Sequence, residues 1–282
     1  MRSKKEIRKY IWDLLYKEGV WEFPPPHGRI PNFKGAKKCA DLLRETEIWQ
    51  KAKVLKVNPD SPQYWVRYYC LCDNKILVMP TPRLKEGFLL LNPSLIPSEE
   101  YSYASKIKGA FKWGKKVKPW ELPEIDLIVE GSVAVSMKGA RIGKGEGYGE
   151  IEYAILRQFN KVKENTPIVT TIHNLQIVED FKVDEWDVPV DYIVLPDKII
   201  ETKTKIKRPK GILWDKLKRE KLEEIRSILV DLTFELKTME KRSEKLRSEM
   251  EMWRDRAVRA LKAGEEKLAR EALERKNQLA LI

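Results

Sequence analysis

The chain has 282 residues, and 55 Lys and Arg against 43 Asp and Glu leave a formal charge of +12. A content of 42% hydrophobic and 35% charged residues supplies a core and argues against wholesale disorder, with one large or two modest domains expected at this length. No run approaches the roughly 20 apolar residues of a membrane span. Cys39, Cys70 and Cys72 form neither a disulfide framework nor a pair of Cys-x-x-Cys motifs, which points to a reducing, cytoplasmic compartment.

The N-terminus reads as an amphipathic helix, with Ile7, Ile11, Leu14 and Leu15 at helical spacing. Glu22 to Gly35 is too rich in Pro and Gly for regular structure and is expected to be a long loop over a sheet. From about Ala52, short β-rich runs alternate with helical ones, the order that builds an α/β fold with a mostly parallel sheet, helices on both faces and three layers. Val54 to Pro59 is a strand. Asp60, a capping residue, and Pro62 then start a helix over Gln63 to Leu71. Lys75 to Pro80, Asp126 to Val135, Pro167 to His173 and Tyr192 to Pro196 read as further strands, the second a continuous buried run. His27 and His173 stand apart as loop or strand-end residues, and Cys70 and Cys72 read as core packing. Lys106 to Trp120 mixes lysines with Phe111, Trp113 and Trp120, as a single-strand nucleic-acid surface does, although a solvated insertion or lid accounts for it better. Glu201 to Lys210 reads as a charged connection.

Beyond Trp214 the character changes. Ile225, Leu229, Leu232, Leu236, Met239, Ser243, Leu246, Met250, Trp253 and Ala257 recur at alternating steps of four and three, a heptad seam that needs a partner. Gly264 either turns this helix into an antiparallel hairpin or is a tolerated mid-helix glycine. The expected division is therefore a domain over 1–215 and a helical coiled-coil or hairpin tail over 216–282.

Gly139 to Leu156, GARIGKGEGYGEIEYAIL, carries the clearest chemistry. Gly143, Gly145 and Gly147 let a backbone approach a ligand closely and adopt left-handed conformations. A helix opening directly after such a loop offers main-chain N–H groups to a phosphate, with Arg141 and Lys144 adding fixed charge. Glu150 and Glu152 follow as carboxylates of the kind that hold magnesium. The spacing fits neither common nucleotide fingerprint, and a glycine-rich turn without a ligand stays open as the plain alternative.

The string R-x-G-x-G-x-G-Y followed by an acid resembles the signature of the 5-formyltetrahydrofolate cyclo-ligase family. Lys4 to Arg8 matches the family's N-terminal Lys/Arg pair. RIPNFKGAKKCADLL, VNPDSPQYWVRYYCL, MPTPRLKEGFLLL, TTIHNLQIVED and WDVPVDYIVLP resemble its archaeal branch, so that the likeness covers about Met1 to Leu217. The resemblance implies ATP- and Mg2+-dependent closure of 5-formyltetrahydrofolate, a reduced folate substrate, to 5,10-methenyltetrahydrofolate, with ADP and phosphate released. It also implies that Lys4, Arg8 and Arg141 face phosphates, and that Gly143, Lys144, Gly145, Glu146, Gly147 and Tyr148 form the cradle. Arg141 and Lys144 would serve catalysis, Glu150 and Asp187 the metal, and Asp60 and Phe88 the folate. The chain departs from the family in reading Gly147-Tyr148-Gly149-Glu150 where G-Y-Y-D is usual, and in lacking the folate-side G-E-x-x-T stretch.

Trp253 to Lys276 resembles a signature of the phage shock protein A family, whose helical hairpins assemble on membranes. An oligomerising coiled coil appended to an enzyme is the equally open reading. Both imply a homo-oligomer through the tail. The rival for the whole chain is a non-catalytic nucleotide-binding scaffold that uses its positive charge on RNA or an anionic membrane.

Overall fold

The computed structural model describes residues 2–212 and 219–280, with side chains over 219–236 outside that description. The chain divides into two units, Met1–Lys216 and Leu217–Ile282. In chain order the first unit contains α1 (Lys4–Lys17), α2 (Ala36–Arg44), α3 (Glu47–Lys51), β1 (Val54–Val57), α4 (Tyr64–Cys72), β2 (Ile76–Pro80) and β3 (Phe88–Leu91). It continues with α5 (Tyr101–Ala104), α6 (Ile107–Trp113), β4 (Lys115–Val117), β5 (Leu127–Glu130), β6 (Ala134–Ser136), β7 (Arg141–Ile142) and α7 (Tyr148–Gln158). The last strands are β8 (Ile168–Thr171), β9 (Ile177–Val178), β10 (Tyr192–Val194) and β11 (Ile199–Glu201).

Eight strands form one sheet in the order β11-β10-β8-β5-β1-β2-β3-β4. Its centre is parallel: Leu55 pairs with Leu77 on one side and with Leu127 on the other, while β3, β4 and β11 join antiparallel at the margins. Alternation along each strand sorts the residues between two faces. Leu55, Val57, Leu77, Met79, Leu127, Val129 and Val169 enter one core, beneath α2 and α4, whose Cys39, Leu43, Val66 and Cys70 are fully buried. Lys56 and Glu130 project to the opposite face, where α7 covers them. The result is the expected three-layer, mostly parallel α/β arrangement.

A separate three-stranded sheet, β7-β6-β9, packs with α1. Ser3 starts that helix through a capping box with Glu6, and Ile7, Ile11 and Leu15 are buried. Each such burial is worth about 1.5–3 kcal/mol. The apolar run from Asp126 to Val135 is thus two strands in two sheets and not one. Gly131 allows the break: a Cβ there would lie 2.9 Å from Ile30 Cγ2 and 3.0 Å from both Asp60 Oδ2 and Gln63 Oε1.

Other expectations need correction. Asp60 precedes a short 3-10 turn, Ser61–Gln63, but makes no side-chain cap. The basic run from Lys106 is part of the fold and not a lid: it forms α6 and edge strand β4, Phe111 and Trp113 pack on the main core, and Trp120 tilts against Phe159 at 5.7 Å. The segment Glu201 to Lys210 is the irregular connection expected, fastened by Arg208, which pairs with Asp191 and donates to Thr166 O at 2.8 Å. Cys70 is buried as expected whereas Cys72 is exposed. His27 sits 2.8 Å from Asp13 and His173 caps a turn through Leu175 N.

In the second unit α8 (Arg219–Lys262) and α9 (Glu266–Leu279) pack on each other. Gly264, at φ +76°, makes the turn. Among the described residues Ala257, Ala269 and Ala272 are buried, small enough for the helices to approach closely. Of the seam, the side chains of Ile225, Leu229, Leu232 and Leu236 lie outside the described residues. No described helix is long and apolar enough to cross a membrane.

Candidate active site

Strand order reverses between β1 and β5: the chain leaves β1 toward β2, and leaves β5 toward β8. In open α/β sheets the crevice outside the carboxyl ends of strands at such a reversal is where ligands bind. Here the crevice is framed by Asn58 to Gln63 after β1 and by Gly131 after β5. Above it runs the glycine loop between β7 and α7.

Gly145 and Gly147 take φ values of +104° and +74°, which residues with a Cβ rarely adopt. Gly147 is the N-cap of α7 and supplies no side-chain acceptor. The first-turn amides therefore face outward at the positive end of the helix dipole, as an anion site requires. A Cβ on Gly145 would lie 3.2 Å from Arg8 Cζ, so loop and cation are in close contact.

Four cations stand around this loop, and each already has a partner. Lys4 Nζ donates to Asp184 Oδ2 at 2.8 Å and Asp187 Oδ2 at 2.5 Å. Arg8, one helical turn on, donates from Nε to Gly143 O at 2.7 Å. Lys144 Nζ is 2.8 Å from Glu146 Oε2 on the loop surface. Arg141 is only 4% exposed: Nη2 pairs with Glu150 Oε1, and Nη1 donates to Gly131 O at 2.9 Å while standing 3.9 Å from Glu130 Oε2. Burial works against the Arg141 charge, yet Glu150 and Glu130 outweigh it and raise its pKa. Burial lowers that of Arg8 in spite of Glu150 and Asp187. Burial likewise pushes the Asp187 carboxyl up, against the pull of Lys4.

Below the loop is a buried ionic cluster that no motif disclosed. Lys56 Nζ lies 2.7 Å from Glu130 Oε1, 2.6 Å from Glu152 Oε2 and 2.7 Å from Asn58 Oδ1. All three ionisable groups are at most 6% exposed. Burial raises Glu152 to about 7 against Lys56; Glu130 feels the same burial, but Lys56 and Arg141 bring it below its ordinary value. Charges inside the apolar runs VLKV and LIVE were the available signal, since a buried charge demands a partner. Glu152 moves from a magnesium candidate to a partner of Lys56.

The structure therefore brings Lys4, Arg8, Arg141, Gly143, Lys144, Gly145, Glu146, Gly147, Tyr148, Glu150 and Asp187 together around one loop. Asp60 joins them: burial raises its carboxyl, opposed by the nearby Lys144 and Arg67 charges. Gln63 Oε1 and Glu130 Oε2 are buried without hydrogen-bond partners, leaving acceptors inside the crevice. Beside them Pro59, Ser61, Tyr64, Trp65, Tyr103 and Lys106 line a cavity of about 520 Å³. Phe88 does not belong to this group. Its register opposite Pro80 and Val117 leaves it 1% exposed, with no ring face for a substrate.

Glu150 and Asp187 offer hard oxygen donors of the kind magnesium takes, but among the described residues no group of three metal-ligating side chains gathers. Two carboxylates beside a loop with outward-facing amides still fit this ion, which commonly completes its shell with phosphate oxygens and water. Arg141 and Lys4 hold the two carboxylates in the structure.

Comparison with known proteins gives the family of the chain. Residues 1–196 match the model of the 5-formyltetrahydrofolate cyclo-ligase family. The chain is 38% identical over 225 residues to a methenyltetrahydrofolate synthase domain-containing protein of Bos taurus, covering 78% of this chain and 59% of that protein. A protein of the same description from Danio rerio is 34% identical over 269 residues, covering 94% of this chain and 67% of its own length. The chain thus spans about three-fifths of the length of the bovine relative. Among solved structures, 5,10-methenyltetrahydrofolate synthetase of Aquifex aeolicus is similar with a TM-score of 0.46 at 20% identity, over 71% of this chain and 93% of that one.

Proposed function

Since the chain belongs to the 5-formyltetrahydrofolate cyclo-ligase family, we propose that its first unit closes 5-formyltetrahydrofolate to 5,10-methenyltetrahydrofolate at the expense of ATP. The observation that carries this reading is the left-handed Gly145 and Gly147 loop at the start of α7, ringed by Lys4, Arg8, Arg141 and Lys144. The cradle amides and these cations hold the triphosphate. The formyl oxygen of the folate attacks the γ-phosphorus; a P–O bond forms there and the bond to ADP breaks. The neighbouring folate nitrogen then bonds to the formyl carbon and gives up its proton, and the C–O bond of that carbon breaks to release phosphate, which carries the proton away. Transfer of this kind needs positioning and charge neutralisation above all. Magnesium, held by Glu150 and Asp187, would offset phosphate charge. Arg141 and Lys4, bound to those same carboxylates, are placed to exchange them for phosphate oxygens, so ligand entry trades one set of ion pairs for another. The aromatic cavity beside Asp60 suits the flat, partly anionic folate.

Absorbance of the methenyl product, followed with ATP, Mg2+ and 5-formyltetrahydrofolate, tests the reading. Lys144 is 37% exposed in its side chain, so Lys144→Met is expected to reduce turnover with an unchanged melting temperature. Arg141→Ala is expected to abolish turnover and also to destabilise, because Glu130 and Glu150 lose their partner. Absence of product from the unaltered chain would refute the assignment. For the second unit we propose self-association, supported by Met239, Leu261 and Leu268, which are 52%, 57% and 53% exposed.

A further inference from the structure

The turn that follows β2 is conformationally costly. Arg83 and Leu84 are consecutive non-glycine residues with φ values of +57° and +54°, a region disfavoured for side chains that bear a Cβ. Thr81 holds them there: Leu84 N donates to Thr81 O at 2.8 Å, Thr81 Oγ1 donates to Gly87 O at 3.0 Å, and Glu86 N donates to Thr81 Oγ1 at 3.0 Å. Backbone strain that the surroundings over-determine in this way concentrates at functional positions. Its effect here is to bury Leu84, 4% exposed, while leaving Arg83 exposed.

Position gives the strain a direction. β2 runs parallel to β1, with Lys56 opposite Val78, so the turn lies at the same carboxyl edge of the sheet as Asp60 and Gly131. The Pro82–Leu84 turn packs against α7, the helix whose N-terminus forms the cradle. Among the described residues no hydrogen bond or ion pair engages the Arg83 side chain, in contrast to Lys4, Arg8, Arg141 and Lys144, which are all paired. A guanidinium offers a planar fork of donors matched to phosphate and carboxylate oxygens.

We propose that Arg83 is an anion-binding residue of this site, held ready by the strained turn to take an oxyanion of the bound ligand. That group is a phosphate of the nucleotide or a carboxylate of the folate, and the proposal extends the cyclo-ligase reading. Arg83→Gly and Arg83→Asn both suit a left-handed backbone while removing the fork; Arg83→Lys keeps the charge alone. Calorimetric titration of the full chain and of each variant with ATP, with 5-formyltetrahydrofolate and with inorganic triphosphate separates the sources. Arg83→Gly is expected to raise the melting temperature and, like Arg83→Asn, to weaken binding at least tenfold, with Arg83→Lys between. Weakened ATP and triphosphate binding identifies the phosphate; weakened folate binding alone identifies the carboxylate. Unaltered affinity of the Gly and Asn variants for all three probes, or no binding of any probe to the unaltered chain, overturns the proposal. A chain that binds triphosphate through Arg83 but forms no methenyl product would refute the cyclo-ligase reading and leave the anion site standing.

Discussion

Glu152→Gln separates a titrating group from its shape. The Glu152 side chain is 6% exposed with Oε2 2.6 Å from Lys56 Nζ, and burial outweighs that partner, raising its carboxyl from 4.5 to about 7. Between those values the folded chain keeps a proton that the unfolded chain has released. The stability this confers is therefore complete below about pH 4.5 and lost as pH rises through about 7. At about 1.4 kcal/mol per unit, the loss is roughly 3 kcal/mol. Glu130 works in the opposite sense, since its lowered pKa gives stability above its ordinary value that disappears in acid. Replacing Glu152 by Gln removes the first contribution and keeps the second. Urea unfolding at pH 5 and pH 8 should show the variant losing roughly 3 kcal/mol less than the unaltered chain over that interval. Equal losses in the two proteins would refute the account of a buried, strained carboxyl. The companion Lys56→Met leaves Glu152 without its cation and Glu130 with Arg141 alone, 3.9 Å away, and should cost about 3–5 kcal/mol at pH 8.

Asp187→Asn leaves Lys4 only Asp184 among its two present carboxylate partners. If Asp187 holds magnesium, half-maximal turnover should require at least tenfold more Mg2+, while ATP affinity measured without the metal is unchanged or tighter; an unchanged Mg2+ requirement removes Asp187 from the metal site. For the second unit, the chain ending at Asp215 should sediment as a monomer while the full chain is larger. Equal protomer numbers in both would end the self-association reading.

Periodicity and glycine placement made much of this legible in the amino-acid order. Ile7, Ile11 and Leu15 declared α1, and the apolar runs around Leu55, Leu77, Ile128 and Val169 declared the parallel centre of the sheet. Of the marginal strands, β4 escaped because Lys115 to Val117 is a charged edge, and β11 because Ile199 to Glu201 opens directly onto the charged run after it. Asp126 to Val135 looked like one strand because hydrophobicity cannot reveal that Gly131 redirects the chain into a second sheet. In the site, Gly145 and Gly147 were readable from local spacing, whereas Lys56, Glu130 and Glu152 meet only after β1, β5 and α7 are stacked. Phe88 was assigned to the folate through the family resemblance alone, and a likeness in sequence does not say which face of a strand a ring will occupy.

The Lys4 to Asp187 hydrogen bond joins residues 183 positions apart, across nearly the whole first unit. Closing so large a loop is entropically unfavourable until the intervening sheet exists, so this contact belongs among the late events of folding. On that reasoning the cradle should complete its ring of charge only after the transition state. A nucleotide that binds there should accordingly slow unfolding and leave the folding rate almost unchanged, so that ligand protects the finished protein without guiding its assembly.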